Sequence, residues 1–76
     1  MATAYVLINS EIGLDNLVQE EIMSIPEVKE SYIVYGLYDF VTIIEAETAE
    51  ELKEVVFTRI RKIDGVKATS TMIVMG

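Results

Sequence analysis

Residues 14–29 read LDNLVQEEIMSIPEVK, and the same order of apolar positions recurs 38 residues later in LKEVVFTRIRKIDGVK, residues 52–67. Both segments space their first apolar side chains at i, i+3 and i+4, which is typical of a helix with one apolar stripe. At an offset of 40, Ile33-Val34-Tyr35-Gly36 then matches Ile73-Val74-Met75-Gly76. The chain is therefore predicted to consist of two halves with the same plan. The matched apolar residues are Leu14, Leu17, Val18, Ile22, Ile25 and Val28 with Leu52, Val55, Val56, Ile60, Ile63 and Val66.

The ends of the two predicted helices carry recognisable signals. Thr48 and Glu51 form a capping-box pattern, in which both side chains satisfy main-chain amides at the start of the second helix. That helix is predicted to end at Asp64-Gly65, because glycine readily adopts the left-handed conformation that follows a helix. The first helix is predicted to end at Pro26, since proline lacks an N–H group and disfavours a helical conformation in the residue before it.

Four stretches rich in β-branched and aromatic residues are predicted strands, at about residues 3–9, 29–35, 40–46 and 67–75. The second and third are separated only by Gly36-Leu37-Tyr38-Asp39 and should pair as a hairpin. The element order is then β-α-β-β-α-β. It predicts a ferredoxin-like α+β fold, a four-stranded antiparallel sheet with both helices on one face. With 76 residues, the chain is expected to be a single domain spanning 1–76.

Composition narrows the possible functions. Cysteine and histidine are both absent, which removes disulfides, thiolate sites and the commonest metal ligand, so no metal or cofactor is expected. The net charge of −7 repels phosphate, and the short Arg59-Ile60-Arg61-Lys62 run is interpreted as a solvated helix end rather than a nucleic-acid site. No apolar run is long enough for a membrane helix, and no secretory signal is evident. We expect a cytoplasmic protein that binds neither membrane nor, directly, nucleic acid.

Both faces of the predicted sheet are apolar. In the first strand Ala4, Val6 and Ile8 alternate with Tyr5 and Leu7, although helices can cover only one of the two faces. The open face has an area of roughly 400 Å², a size at which an exposed apolar patch usually marks an interface. A homodimer through facing sheets is therefore expected; the alternative is a monomer with scattered surface apolar residues.

The sequence gives little support for catalysis or for RNA binding. The sequence has no Ser-His-Asp or Cys-His set and no Gly-rich phosphate loop, and its acidic residues are interpreted as solvated helix faces. A sister fold with phosphatase activity needs an arginine in the first loop, which here is residues 9–13, Asn-Ser-Glu-Ile-Gly. Tyr5 and Phe40 could stack on RNA bases, but the third strand lacks the basic residues of RNA-recognition domains. We expect a protein without enzymatic activity.

The hairpin Gly36-Leu37-Tyr38-Asp39-Phe40 allows two interpretations. Gly and Asp are ordinary turn residues, so the segment can be a simple turn flanked by a half-buried Tyr. A carboxylate beside free main-chain amides also suits an amino acid, with Asp39 receiving the ammonium group and the amides receiving the carboxylate.

At this hairpin the sequence resembles the Gly-x-Tyr-Asp-aromatic motif of the effector domain of Lrp/AsnC transcription regulators, the RAM domain. Residues 63–71, Ile-Asp-Gly-Val-Lys-Ala-Thr-Ser-Thr, look like that family's Gly-Val-x-x-Thr-x-Thr segment. The resemblance covers essentially the whole chain. It implies dimers joined through their sheets, rings of such dimers, and an amino-acid effector bound where dimers meet. The residues it implies for that site are Gly36, Leu37, Tyr38, Asp39, Thr69 and Thr71.

Full regulators of this family carry a helix-turn-helix ahead of the effector domain, whereas here the first predicted strand begins within a few residues of Met1. A stand-alone module without a DNA-binding domain is therefore expected. It could sense an effector, join mixed assemblies with full-length Lrp/AsnC regulators, or serve another complex. A purely structural oligomerisation module without a ligand is the alternative.

Overall fold

The computed structural model describes residues 1–75, so the predicted match of Gly36 with Gly76 lies partly outside the described residues. The element order is β-α-β-β-α-β, as predicted. No helix among the described residues is long and apolar enough to cross a bilayer. The elements are β1 (Ala2–Ser10), α1 (Asp15–Met23), β2 (Val28–Ile33), β3 (Phe40–Ala46), α2 (Ala49–Val55), a π-helical segment (Val56–Ile60) and β4 (Val66–Ile73).

The four strands form one antiparallel sheet in the order β2-β3-β1-β4. The central strand β1 places Ile8 opposite Phe40 of β3 on one side and opposite Thr69 of β4 on the other. The predicted hairpin connects β2 to β3, where Ile33 pairs with Phe40. The ferredoxin-like fold is thus confirmed.

The core lies between the helices and one face of the sheet. Alternate residues of β1 and β3 point into it, and the apolar stripe of each helix packs against them. This pattern confirms that both helices cover the same face. The buried apolar residues of β1, β3 and the helical segments are Ala4, Val6, Ile8, Phe40, Ile44, Ala46, Val18, Ile22, Leu52, Val55, Val56 and Ile60.

A polar network also joins the two layers. The Thr42 side chain is fully buried, and its hydroxyl lies 3.0 Å from the Ser31 hydroxyl. Ser31 in turn donates to Gln19 Oε1 and accepts, at its carbonyl oxygen, from Gln19 Nε2, both at 3.0 Å. Because every hydroxyl in this network has a partner, the polar groups connect α1 to β2 and β3 without an unpaired buried atom.

The helix ends agree with the predictions only in part. The predicted cap is confirmed, since the Glu51 amide donates to Thr48 Oγ1 at 3.2 Å. α1 ends at Met23, slightly before the predicted Pro26. The predicted end at Asp64-Gly65 is too late, because regular α-helix stops at Val55 and the π-helical segment ends at Ile60. Gly65 instead lies in the turn before β4 with φ +99°.

A side-chain hydrogen bond accompanies the change from α-helix to π-helix. Thr58 Oγ1 donates to the Glu54 carbonyl oxygen at 2.7 Å, and such bonds from a hydroxyl to the preceding turn loosen and bend helices. Val55, Val56 and Ile60 are all buried along this stretch and belong to the core.

Candidate ligand-binding end of the sheet

The predicted site residues of the hairpin meet the end of β1. The Asp39 amide donates to the Ile8 carbonyl oxygen at 2.9 Å, and the Asp39 carbonyl oxygen accepts from the Val34 amide at 2.8 Å. Asp39 Oδ2 accepts a further hydrogen bond, 2.9 Å, from the Ser10 amide. Asp39 therefore joins the hairpin to β1, a role that the sequence analysis did not assign to it.

The turn itself is open to solvent. Gly36 has φ +136°, as expected for a glycine required by its backbone conformation, and Leu37 is 91% exposed. Tyr35, just before it, is fully exposed, while Tyr38 is half-buried. The hairpin thus presents large apolar side chains to solvent beside the Asp39 carboxylate.

The two predicted threonines lie on the other side of β1. Thr69 pairs with Ile8 and Thr71 pairs with Val6, so both point to the side of the sheet on which the helices lie. Thr69 is half-buried and Thr71 is exposed. Because β1 separates them from the hairpin, the main chains at Asp39 and Thr69 lie two strand spacings apart, roughly 10 Å. Within one chain the six predicted residues share one end of the sheet but do not line one closed pocket.

Sequence reasoning missed the Ser10 amide as part of this region. Ser10 is buried, and its hydroxyl lies 3.5 Å from Asp15 Oδ1 at the start of α1. Every residue except proline has a main-chain amide, so the sequence does not indicate which amide binds Asp39. Ser10 and Asp39 are also 29 positions apart in the sequence. The carboxylate partner could be proposed from the motif, but the amide could be found only in the folded chain.

The face of the sheet opposite the helices is apolar at its centre, as predicted, but the strand register also places Glu30, Glu45 and Ser70 on this face. We call this surface the open face; Tyr5, Tyr32 and Met72 on it are 40–52% exposed, while its central residues are half-buried. The Glu30 carboxylate raises the pKa of Tyr32, because it accepts a hydrogen bond from the hydroxyl and its negative charge opposes ionisation. The apolar residues of the open face are Tyr5, Leu7, Tyr32, Val41, Ile43 and Met72.

The fold and this arrangement define a small α+β domain that has a hairpin at one end of its sheet and a partly apolar sheet face that no helix covers. The family profile described as the Lrp/AsnC ligand binding domain matches residues 3–76. The chain belongs to this family, which confirms the resemblance seen in the sequence.

Relatives and solved structures agree with this assignment. An HTH-type transcriptional regulator of Pyrococcus furiosus is 40% identical over 74 residues, covering 93% of this chain and 49% of that protein. The chain thus spans about half the length of the curated relatives it matches. A Thermus thermophilus protein of 36% identity superposes with a TM-score of 0.95 over 100% of this chain and 95% of that one.

The same fold occurs in a feast or famine regulatory protein from M. tuberculosis, solved in complex with L-methionine. It is 23% identical, with a TM-score of 0.81 over 100% of this chain and 51% of that one. At this identity the likeness shows the fold alone.

Proposed function

We propose that this chain is a non-enzymatic module that binds an amino acid at the hairpin end of its sheet and assembles through its open face. The observation that carries the proposal is the position of Asp39. One of its carboxylate oxygens accepts from the Ser10 amide, and Oδ1 makes no hydrogen bond within residues 1–75. That free oxygen can accept from an ammonium group while the exposed turn offers main-chain amides to a carboxylate.

Family membership supports this proposal. The matching profile is that of a ligand-binding domain, and the M. tuberculosis protein with the same fold was solved with an amino acid. For this chain the site would include Gly36, Leu37, Tyr38 and Asp39, with Thr69 and Thr71. Since β1 separates the hairpin from the threonines, we propose that a complete site forms only where two copies bring these groups together.

The open face supports assembly. Its area is roughly 400 Å² per copy, so two facing sheets would bury about 800 Å². A standard stable interface buries about 1,200–2,000 Å², so further contacts are expected. The exposed Tyr35 and Leu37 of the hairpin can supply them, which favours a ring of dimers over an isolated dimer. The same contacts would allow mixed assemblies with full-length Lrp/AsnC regulators.

The proposed binding of an amino acid is tested by isothermal titration calorimetry of the whole chain with each of the proteinogenic amino acids. Asp39→Asn is the informative variant, because its side-chain oxygen can still accept from the Ser10 amide while its charge is lost. We expect at least about tenfold weaker binding, since a charge-assisted hydrogen bond contributes roughly 1.5–3 kcal/mol. Glu50→Gln removes an equivalent charge from the first turn of α2 and should bind like the wild type. Equal affinity in Asp39→Asn would exclude Asp39 from recognition of the ammonium group.

Assembly is tested by native mass spectrometry of Tyr5→Lys and Leu17→Lys. Tyr5 lies on the open face and Leu17 lies on α1, and both are exposed enough, 40% and 60%, for the folded chain to accept lysine. Only Tyr5→Lys should reduce the copy number, because it places a charge in the proposed interface. An unchanged copy number in Tyr5→Lys would contradict assembly through this face.

A purely structural module is the second candidate, and one observation favours it. Asp39 already has a partner in the Ser10 amide, so the hairpin motif has a structural use without a ligand. Thermal melting with each amino acid distinguishes the two functions. A ligand that binds only the folded state stabilises it by about 2.7 kcal/mol at a hundredfold excess over its Kd, whereas a structural module shows no shift.

A further inference from the structure

The cations of this acidic chain are concentrated in one place. Four of its six basic residues lie within residues 59–67, around the turn that connects the π-helical segment to β4. The chain as a whole carries a charge of −7, whereas residues 59–67 contain four basic residues and one acidic residue, Asp64, so this segment is unusually basic for the molecule. The six basic residues are Lys29, Lys53, Arg59, Arg61, Lys62 and Lys67.

Two of these four cations have acidic neighbours. Arg59 Nη1 lies 3.7 Å from Glu27 Oε1, and this is the only ion pair within residues 1–75. Lys62 lines a cavity between the helices whose wall also contains Glu21 and Asp64. The charges of Arg59 and Lys62 are therefore offset locally.

Arg61 and Lys67 differ from them: neither forms an ion pair within 4.0 Å among residues 1–75. They line a separate cavity of about 410 Å³, together with Val66, Ala68 and Thr69, and no acidic residue forms part of its wall. This volume lies within the range of roughly 300–1,000 Å³ that is typical of small-molecule sites. Among residues 1–75, every charged group that lines this cavity is positive.

The donors around the cavity differ in kind and complement one another. The Arg61 guanidinium lies over the Phe57 ring, 5.5 Å from its centroid, and this contact restrains an otherwise mobile side chain. A guanidinium presents a planar pair of N–H donors that matches a carboxylate or phosphate group. The Lys67 ammonium adds a second positive charge, and the half-buried Thr69 adds a hydroxyl donor.

We propose that this cavity is a binding site for a small oxyanion of charge about −2, a phosphate-bearing or dicarboxylate metabolite. The site is separate from the hairpin, none of whose residues lines it. The inference does not depend on amino-acid binding at Asp39, but Thr69 belongs to both proposed sites, so the two regions share one residue. Occupation of the cavity would hold the end of the helical segment against β4.

The test is an amide NMR titration of the whole chain with inorganic phosphate and, separately, with succinate, at an ionic strength held constant with sodium chloride. We expect saturable shifts at residues 66–69. Arg61→Gln and Lys67→Gln should each weaken the binding at least about tenfold, since each removes a charge-assisted contact. Lys53→Gln is the matched control, because it removes an exposed cation of α2 that lies outside the cavity.

The two probes identify the chemistry of the ligand. Tighter binding of phosphate assigns the site to phosphate-bearing metabolites, and tighter binding of succinate assigns it to dicarboxylates.

Two results would overturn the proposal. One is shifts that do not saturate or that are equal in Arg61→Gln and Lys53→Gln, which indicates general screening of charge. The other is shifts that follow protein concentration rather than anion concentration, which indicates that an acidic surface of a second copy occupies the cavity.

Discussion

Substitution of Gly65 by alanine perturbs the closest approach between the turn before β4 and helix α1. Gly65 has φ +99°, and a Cβ atom added there would lie 3.0 Å from Val18 Cγ2 and 3.1 Å from Leu14 Cδ1. Val18 is fully buried, so its methyl group has no free space into which to move. The Gly65 carbonyl oxygen also accepts from the Glu11 amide at 2.7 Å, which holds the turn in place.

Two costs add in this variant. Holding an L-residue in the left-handed region costs about 1–2 kcal/mol. Forcing an extra carbon into a packed core costs typically about 1–3 kcal/mol. Gly65→Ala should therefore lower the free energy of unfolding by about 2–5 kcal/mol. A chain of this size has a total stability of roughly 4–11 kcal/mol, so the variant would lose a large fraction of it.

The assay is urea unfolding at one fixed protein concentration, because any self-association would also contribute to stability. Gly13→Ala is the matched control. Gly13 has φ +86° but no atom within 4 Å of an added Cβ, so only the backbone cost applies there. The difference between the two variants, about 1–3 kcal/mol, measures the contact with α1. If both lose the same stability, the close approach of Gly65 to Val18 and Leu14 is refuted.

The effects of Gly65→Ala and Val18→Ala on the free energy of unfolding should also be non-additive, since the second change removes the obstructing methyl group.

Three further outcomes are expected. Asp39→Ala should destabilise the fold by about 1–3 kcal/mol in thermal melts because a main-chain amide of β1 loses its acceptor, whereas Asp39→Asn should lose much less. Ser31→Ala should cost more stability than Thr42→Val in urea unfolding, since only the former leaves a buried hydroxyl unpaired; the reverse order would contradict the network. Tyr32 should ionise above its ordinary pKa in an ultraviolet titration, and Glu30→Ala, which removes both the hydrogen-bond acceptor and the charge, should largely remove the shift. Because the pKa is raised in the folded state, the associated stability is present below the unfolded pKa and is lost as the pH rises through the folded one.

Most of the fold could be predicted because its signals are local. The apolar spacing of each helix and the alternation of β1 and β3 depend on neighbours a few positions apart in the chain. The Thr48 cap and the pairing of β2 with β3 follow from equally short stretches. The end of the second helix was predicted too late, because Gly65, which has φ +99°, lies in the turn before β4 and does not mark the end of the helical segment at Ile60.

The candidate site, too, could be predicted from the sequence only in part. The hairpin motif identified Asp39 as a carboxylate worth attention, and the family assignment based on that motif is confirmed. The motif did not reveal that Asp39 accepts from the Ser10 amide or that β1 separates it from Thr69. It also gave no indication that Arg61 and Lys67 share a cavity without carboxylates.

The sequence by itself determined the element order, the family and the alternation of side chains between the two sheet faces, because each depends on residue type and on spacing along one element. Only the tertiary structure decided which groups meet at the end of the sheet. Such contacts join residues far apart in the chain, and their geometry depends on the strand register and on every turn between them. Ser10 and Asp39 are 29 positions apart in the sequence, and nothing local to either residue indicates the hydrogen bond that joins them.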